Sequence, residues 1–154
     1  MNIIFLDVDG VLNSIKKLTE MFNINKRPYS GYDYPFDDDC LNNLKRIVEE
    51  TNSYIVITST WRMHEIGKTI LLNELKKYGL DKRVIGYTDI LHKSREEEIL
   101  KYLERLGNNI SIIILDDDND FKVLEEYLIQ TDYEYGLTEK DADLAIKKLS
   151  KKYR

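Results

Sequence analysis

The sequence predicts an α/β protein, a single three-layer α/β/α domain of Rossmann type built around a mainly parallel sheet. Short runs that are apolar throughout, such as residues 3–6 and 110–115, are typical of strands buried on both faces. Segments with helical periodicity separate these runs, as in proteins whose parallel sheet is covered by helices on both sides. Acidic or hydroxyl residues follow the runs directly. We therefore expect a binding crevice at the carboxyl ends of the strands.

The elements alternate along the chain. Five strands are predicted, at residues 3–6, 54–57, 83–87, 110–115 and about 133–135. Six helices are predicted from apolar spacing and capping residues, over residues 14–22, 37–51, 64–78 and 94–106, a stretch with Phe121, Leu124 and Leu128, and a last helix with Ala142, Ala145, Ile146 and Leu149. Pro28, Gly31 and Pro35 oppose regular structure over residues 23–35. We expect a short loop or flap insertion at about 14–36, inside one domain that spans 1–154.

Composition narrows the class further. A chain of 154 residues with 42% hydrophobic content suits one domain with a full core. The single cysteine, Cys40, excludes a disulfide framework, and the early acidic residues argue against a signal peptide, so we expect a cytoplasmic protein. The net charge of -5 argues against a generally basic protein that coats nucleic acid, although a local basic surface remains open. The basic residues at the end of the chain are expected to lie on a solvated helix face: Lys147, Lys148, Lys151, Lys152 and Arg154.

The first strand ends in two aspartates. Asp7 and Asp9 are two positions apart, and Gly10 permits the backbone to turn so that both face one site. Two carboxylates about 4 Å apart repel each other by roughly 4 kcal/mol at an effective dielectric constant near 20. A bound cation is the usual way to offset such repulsion.

Residues 3–12, Ile-Ile-Phe-Leu-Asp-Val-Asp-Gly-Val-Leu, resemble the first motif of the haloacid dehalogenase (HAD) superfamily. The resemblance implies a HAD-like fold in which Asp7 is the nucleophile and Asp9 the general acid and base. A second motif of that family is a strand followed by a hydroxyl residue that holds a phosphate oxygen. In Thr58-Ser59-Thr60 we favour Ser59, with Thr58 as the rival and Thr60 as a further substrate contact.

The remaining two motifs also occur in the family's order. The third is a cation near the start of a helix, and we favour Arg95 over Lys93. The fourth is an acidic cluster after a strand, here Asp116, Asp117 and Asp120. The resemblance implies a Mg²⁺ site, because Mg²⁺ prefers oxygen ligands. We expect the ligands to be Asp7, the backbone carbonyl of Asp9 and Asp116, with Asp117 or Asp120 also bound or close behind them.

The four motifs together imply a Mg²⁺-dependent phosphomonoester hydrolase that works through an aspartyl-phosphate intermediate. No insertion is large enough for a full cap domain, and the family associates an open site with macromolecular substrates. Residues 57–62 and 136–138 also resemble small HAD domains of nucleic-acid end-repair proteins. We therefore favour nucleic-acid 3′-phosphate ends or nucleotides as substrates.

Aromatic residues near the motifs are candidates for base stacking. Trp61 is a candidate for stacking on a base and Arg62 for contacting a backbone phosphate, with Tyr29, Tyr32 and Tyr34 as candidates for a second wall. The alternative is that Trp61 packs under the following helix and Arg62 forms an ion pair.

Other function classes use similar carboxylates. A small-molecule or phosphoprotein phosphatase of the same superfamily is one alternative, and a metal-dependent nuclease without a covalent intermediate is another. A phospho-acceptor receiver module would need an aspartate near position 58, where this chain has Thr-Ser-Thr. The sequence does not determine the oligomeric state.

Overall fold

The computed structural model describes residues 1–150. Five strands form one sheet: β1 (Asn2–Leu6), β2 (Ser53–Ile57), β3 (Val84–Tyr87), β4 (Ser111–Asp116) and β5 (Leu128–Gln130). The helices are α1 (Ile15–Asn25), α2 (Asp38–Thr51), α3 (Glu65–Lys76), α4 (Arg95–Leu103) and α5 (Glu139–Leu149). Short 3₁₀ turns lie at Gly31–Asp33, Thr60–Met63, Asp81–Arg83 and Glu125–Tyr127. Within residues 1–150, no helix has the length and apolar character needed to cross a membrane.

The sheet is parallel throughout, with the strand order β3-β2-β1-β4-β5. Side chains alternate between its two faces. Ile4 and Leu6 join the core that α2, α3 and α5 cover, whereas Ile3 and Phe5 face α4 and the loop before β5. The predicted three-layer α/β/α architecture with a parallel sheet is therefore confirmed.

The register of the central strands positions the site. Leu6 pairs with Ile57 on one side and with Leu115 on the other. The next residues of the three strands, Asp7, Thr58 and Asp116, therefore stand side by side at the carboxyl edge of the sheet. The chain leaves β1 towards β2 and β3, and later adds β4 on the opposite side of β1. Ligand crevices in open α/β sheets form at such a switch point.

The segment between β1 and α2 holds no inserted domain. The observed helix α1 is longer than the helix predicted over residues 14–22. It continues to Asn25 and is followed by Lys26 in the left-handed conformation. The loop predicted over residues 23–35 therefore begins three residues later. A buried carboxylate joins the two helices, since Asp37 caps α2 and accepts a hydrogen bond from Ser14, the residue that caps α1.

Two predictions for the region after β4 are wrong. Phe121 and Leu124 are buried but lie in a loop, and Leu128 begins strand β5. The backbone N–H groups of Lys122 and Leu124 donate to the carboxylate of Glu96, so they are not used in a helix. The predicted strand at 133–135 is a turn, because Tyr135 and Gly136 both donate to the carbonyl of Asp132.

The predicted basic face at the end of the chain is described only in part. Lys147 and Lys148 lie on α5, where Lys147 is exposed and Lys148 is half-buried. Lys151, Lys152 and Arg154 are outside the described residues.

Candidate active site

Three carboxylates meet at the switch point of the sheet. Oxygen atoms of Asp7, Asp116 and Asp117 all lie within 4.8 Å of one another. Asp7 follows β1 and Asp116 ends β4, so the parallel register of neighbouring strands brings them together. Asp7 and Asp116 are only 7% and 2% exposed, which means that both carboxylates have lost most of their hydration.

One guanidinium group neutralises part of this charge. Nη1 of Arg95, the first residue of α4, lies 3.1 Å from Oδ1 of Asp7 and 2.9 Å from Oδ2 of Asp116. Lys93 is exposed, and its Nζ lies 3.8 Å from Glu97. Of the two predicted cations, Arg95 is therefore the one that contacts the carboxylates. Burial disfavours the charged guanidinium, but the negative charges of Asp7 and Asp116 outweigh it and raise the pKa of Arg95.

The carboxylates remain in electrostatic excess. When all are ionised, three carboxylates and one guanidinium leave two net negative charges in the cluster. Burial raises the pKa of Asp116 to about 7, with a further contribution from the charge of Asp7 and an opposing one from Arg95. Burial also raises the pKa of Asp7 and of Asp117. A divalent cation bound here would therefore stabilise the ionised carboxylates.

The donor set fits Mg²⁺. All three side chains offer hard oxygen ligands, and Mg²⁺ is usually held by a few carboxylates together with water. A doubly charged ion matches the two negative charges of the carboxylates that Arg95 does not neutralise. Asp120 lies outside this cluster, since its side chain is exposed and its N–H donates to Asp118. Of the two aspartates considered as completing ligands, Asp117 belongs to the cluster, whereas Asp120 lines the cavity over it without joining the cluster. The carbonyl of Asp9 stays a prediction.

Asp9 is held separately from the three-carboxylate cluster. Nδ2 of Asn13 and Nε1 of Trp61 both donate to Oδ1 of Asp9, at 2.8 and 3.2 Å. Oδ2 has no protein partner in the described part of the chain, so it is free to carry or accept a proton. Gly10 makes the turn possible, because its φ is +80° and a Cβ there would overlap the carboxylate of Asp117. The role of Asn13 was missed from sequence, although its position four residues after Asp9 is a usable signal.

Three hydroxyl residues follow β2, and they occupy different environments. Oγ1 of Thr58 is fully buried and has no hydrogen-bond partner among the described residues. Oγ of Ser59 accepts a hydrogen bond from the N–H of Trp61 at 3.2 Å. Thr60 alone of the three lines the cavity over the carboxylates. Thr58 and Ser59 both stay predictions as phosphate contacts, and the unpaired Thr58 hydroxyl is a point in favour of that residue.

Arg62 does not fit its predicted phosphate contact. Its side chain is buried and all five N–H donors have protein acceptors: the carboxylate of Glu98 and the backbone carbonyls of Thr58, Ser59, Thr88 and Asp89. No donor is left for a phosphate. Burial lowers the pKa of Arg62, and Glu98 opposes this effect. The ion pair given above as the alternative is the arrangement observed.

Trp61 is likewise an internal residue. The residue is 4% exposed, and its ring contacts Tyr32 and Phe36, with centroid distances of 5.2 and 5.3 Å. Its backbone carbonyl lies against Gly67 of α3. Because so little of Trp61 is exposed, it offers little surface for stacking on a base, and its ring packs inside the protein against residues that precede α2.

Two cavities flank the carboxylates. The catalytic cavity, about 330 Å³ in volume, is lined by Asp7, Asp116, Arg95 and Lys93 among others. The aromatic cavity, about 590 Å³, is lined by Asp9, Tyr32, Tyr34, His64 and Tyr133 among others. Burial and the charge of Asp9 raise the pKa of Tyr34. Tyr29 was predicted to share this wall, but it lies in a separate small hollow beside Leu18 and Phe22.

One known protein family matches most of this chain. Residues 3–142 match the family described as the HAD domain in Swiss Army Knife RNA repair proteins. The chain belongs to this family. The HAD resemblance inferred from the sequence motifs is thus confirmed, and so is the HAD-like fold without a cap. None of the curated proteins compared with the chain matches it.

Membership of this family indicates the general type of chemistry of this HAD domain. The family is of the HAD phosphatase type, which supports a hydrolase. HAD enzymes generally use Mg²⁺, and the buried aspartates could bind such an ion.

Tyr133 and His64 were missed as parts of the site, because Tyr133 was assigned to a strand and His64 to the start of a helix.

Proposed function

We propose that this HAD domain is a Mg²⁺-dependent phosphomonoester hydrolase that forms an aspartyl-phosphate on Asp7. The observation that supports this most is the buried carboxylate of Asp7 beside Arg95, with the carboxylate of Asp9 free at one oxygen. A nucleophile, a cation for the phosphate and a proton donor are the parts that such a reaction needs.

In the first half of the proposed reaction, an oxygen of Asp7 attacks phosphorus. The bond between phosphorus and the ester oxygen breaks, and the electron pair of that bond goes to the leaving oxygen. Asp9 transfers the proton on its Oδ2 to this oxygen, so that an alcohol departs. Arg95 orients the carboxylate of Asp7 and offsets the negative charge of the phosphate.

In the second half, Asp9 takes a proton from water. The water oxygen attacks phosphorus, the bond between phosphorus and Asp7 breaks, and inorganic phosphate leaves. The carboxylate of Asp7 and the protonated Asp9 are regenerated. Asn13 and Trp61 keep Oδ1 of Asp9 occupied, so the same oxygen, Oδ2, serves in both proton transfers.

Asp7, Asp116 and Asp117 are the residues that would hold Mg²⁺. When bound, the ion neutralises charge on the phosphate oxygens and on the carboxylates. Arg95 does not neutralise all of the negative charge of the three carboxylates. We therefore expect bound Mg²⁺ to increase the affinity for phosphate, and bound phosphate to increase the affinity for Mg²⁺.

We propose nucleic-acid 3′-phosphate ends, or nucleotides, as the substrates. Two observations favour them over other phosphate esters. The family is described from RNA repair proteins, and an aromatic cavity lies directly beside the carboxylates. No inserted domain among residues 1–150 covers the site, so the end of a polymer has access to it.

The first test measures phosphate release from a 3′-phosphorylated oligonucleotide and from a generic aryl phosphate, with Mg²⁺ or with EDTA. We expect Mg²⁺-dependent release, lowered about a thousandfold or more by Asp7→Asn. Asp39→Asn is the matched control, because Asp39 is an exposed aspartate on α2 that belongs neither to the cluster nor to the residues lining the two cavities. Absence of phosphate release by the wild type from both substrates would refute the proposal. Cleavage within the oligonucleotide would indicate a nuclease.

A further inference from the structure

The two cavities divide the carboxylates between them. Asp7 and Arg95 line the catalytic cavity, whereas Asp9 lines the aromatic cavity. Thr60, Met63 and Asp117 line both, and therefore form the boundary. A phosphoester held at this boundary has its phosphoryl group on one side and its leaving group on the other.

From this division we infer that the aromatic cavity binds the terminal nucleoside of a 3′-phosphorylated substrate, as the leaving group. The inference rests on the proposed function and adds the part of the substrate that is recognised. In that reaction, the leaving oxygen receives a proton from Asp9. Since Asp9 is in the wall of the aromatic cavity, the sugar and base attached to that oxygen extend into it.

The walls suit a flat, partly polar group. Tyr34 is half-buried and Tyr133 is 62% exposed, so their rings are available for contact. Tyr32 packs edge-on against the buried ring of Trp61, with an angle of 72° between the rings. Every base offers a π-face for stacking on such rings. Tyrosine hydroxyls and the imidazole of His64 are suited to hydrogen bonds with base edges.

The charge of the cavity favours a nucleoside over a phosphate-rich strand. Among the described residues that line it, none is lysine or arginine, and the two ionisable carboxyl groups are Asp9 and Asp117. These acids would repel a polyanion but not a neutral nucleoside. The volume, about 590 Å³, is also generous for the single ring of a phosphotyrosine.

The inference is tested with two variants of the wall, Tyr34→Ala and Tyr133→Ala. Tyr135→Ala is the matched control, because Tyr135 is 56% exposed, close in sequence and not part of the aromatic cavity. Two substrates are compared with each protein, guanosine 3′-monophosphate and glycerol 2-phosphate, which has no ring to stack. Binding of guanosine 3′-monophosphate is also measured by calorimetry in the Asp7→Asn background, where no turnover is expected.

We expect each wall variant to raise KM, and the dissociation constant in the Asp7→Asn background, about tenfold for the nucleotide. The constants for glycerol 2-phosphate should stay unchanged, as should all constants of Tyr135→Ala. Equal effects on both substrates, or none, would overturn the inference while leaving a phosphatase. Binding of the nucleotide that depends on Tyr34 and Tyr133, without hydrolysis by the wild type, would instead refute the proposed function and keep the pocket. Faster turnover of phosphotyrosine peptides than of the nucleotide would overturn the choice of substrate.

Discussion

At the scale of single residues, the site is defined by carboxylates that the fold has placed where they repel one another. Asp7 and Asp116 are both nearly buried, and one guanidinium contacts both of them. Removing water from a carboxylate disfavours its charged form, which is why the pKa of Asp116 rises to about 7. The metal-free protein therefore holds a proton at this site more tightly than the unfolded chain does.

This raised pKa predicts a loss of stability with increasing pH. The folded pKa of Asp116, about 7, exceeds the ordinary aspartate value of 3.8, so the contribution to stability is present below about pH 4 and lost as the pH rises through 7. In EDTA, the wild type should lose on the order of 3 kcal/mol of unfolding free energy relative to Asp116→Asn between pH 4 and 8. Urea unfolding of both proteins at several pH values measures this difference.

Mg²⁺ should reverse the trend, because it binds the deprotonated carboxylates. Stabilisation of the wild type by Mg²⁺ should be large at pH 8, small at pH 5 and weak at both in Asp116→Asn. Parallel pH profiles for the two proteins in EDTA would contradict this account of the carboxylate cluster.

At the scale of elements, the start of α4 is tied to the end of β2. Arg62, in the 3₁₀ turn after β2, forms a buried ion pair with Glu98 of α4, with 3.0 Å between Nη2 and Oε1. Glu98 also accepts a hydrogen bond from the N–H of Leu91. Because Arg95 is one turn of helix from Glu98, this connection helps to place Arg95 over the carboxylates. Arg62 thus acts on the site through structure.

A second contact between elements predicts the effect of Gly67→Ala. A Cβ at position 67 of α3 would overlap the carbonyl oxygen of Trp61, so α3 would have to move away from the turn that carries Trp61. We expect a loss of about 1–3 kcal/mol, although alanine is the better helix former. Gly107→Ala is the control, since nothing lies within 4 Å of a Cβ there, and its effect should stay within about 0.5 kcal/mol. Chemical denaturation measures both, and equal values would contradict the close contact.

At the scale of the whole molecule, charge limits how nucleic acid can be held. The chain carries a net charge of -5. Within the described part of the chain, the lysine and arginine residues that line the catalytic cavity are Lys93, Arg95 and Arg62, and the donors of Arg62 are all used inside the protein. A protein with this distribution recognises a terminus through its phosphate and its base. A long strand would find few phosphate contacts near the site.

The salt dependence of catalysis follows from this distribution. With one or two phosphates contacted, the slope of log kcat/KM against log salt for a 3′-phosphorylated oligonucleotide should be about -1 to -2. Guanosine 3′-monophosphate should give a similar slope in the same series. A slope for the oligonucleotide that is several units steeper would show that an extended basic surface takes part.

Much of the fold and part of the site could be read from local pattern. Runs that are apolar throughout identified the central strands, because only strands buried on both faces need them. The acids and hydroxyls that follow these runs indicated which edge carries the site. Of the two cations near this helix start, the family resemblance favours Arg95 through its spacing to Glu98 and Ile99, and the contacts of Arg95 with Asp7 and Asp116 agree with that choice.

The failures share a physical cause. The apolar residues Phe121, Leu124 and Leu128 have helical spacing, yet the backbone there bonds to the distant Glu96 and then enters a strand. The same limit applies to charge, since the donors of Arg62 face acceptors up to 36 residues away in the chain, as the pair with Glu98 shows. A local pattern reports periodicity and does not report which distant group will satisfy a donor.

The sequence by itself determined the fold class, the family and the carboxylates at the sheet edge, because these depend on strand burial and on short motifs. Only the tertiary structure decided that Asp117 rather than Asp120 joins the cluster, that Asn13 and Trp61 orient Asp9, and that Tyr133 lines an aromatic cavity. Each of these outcomes depends on contacts between segments that are distant in the chain or on the exact path of a loop. Such contacts form only when the whole sheet and its helices have packed.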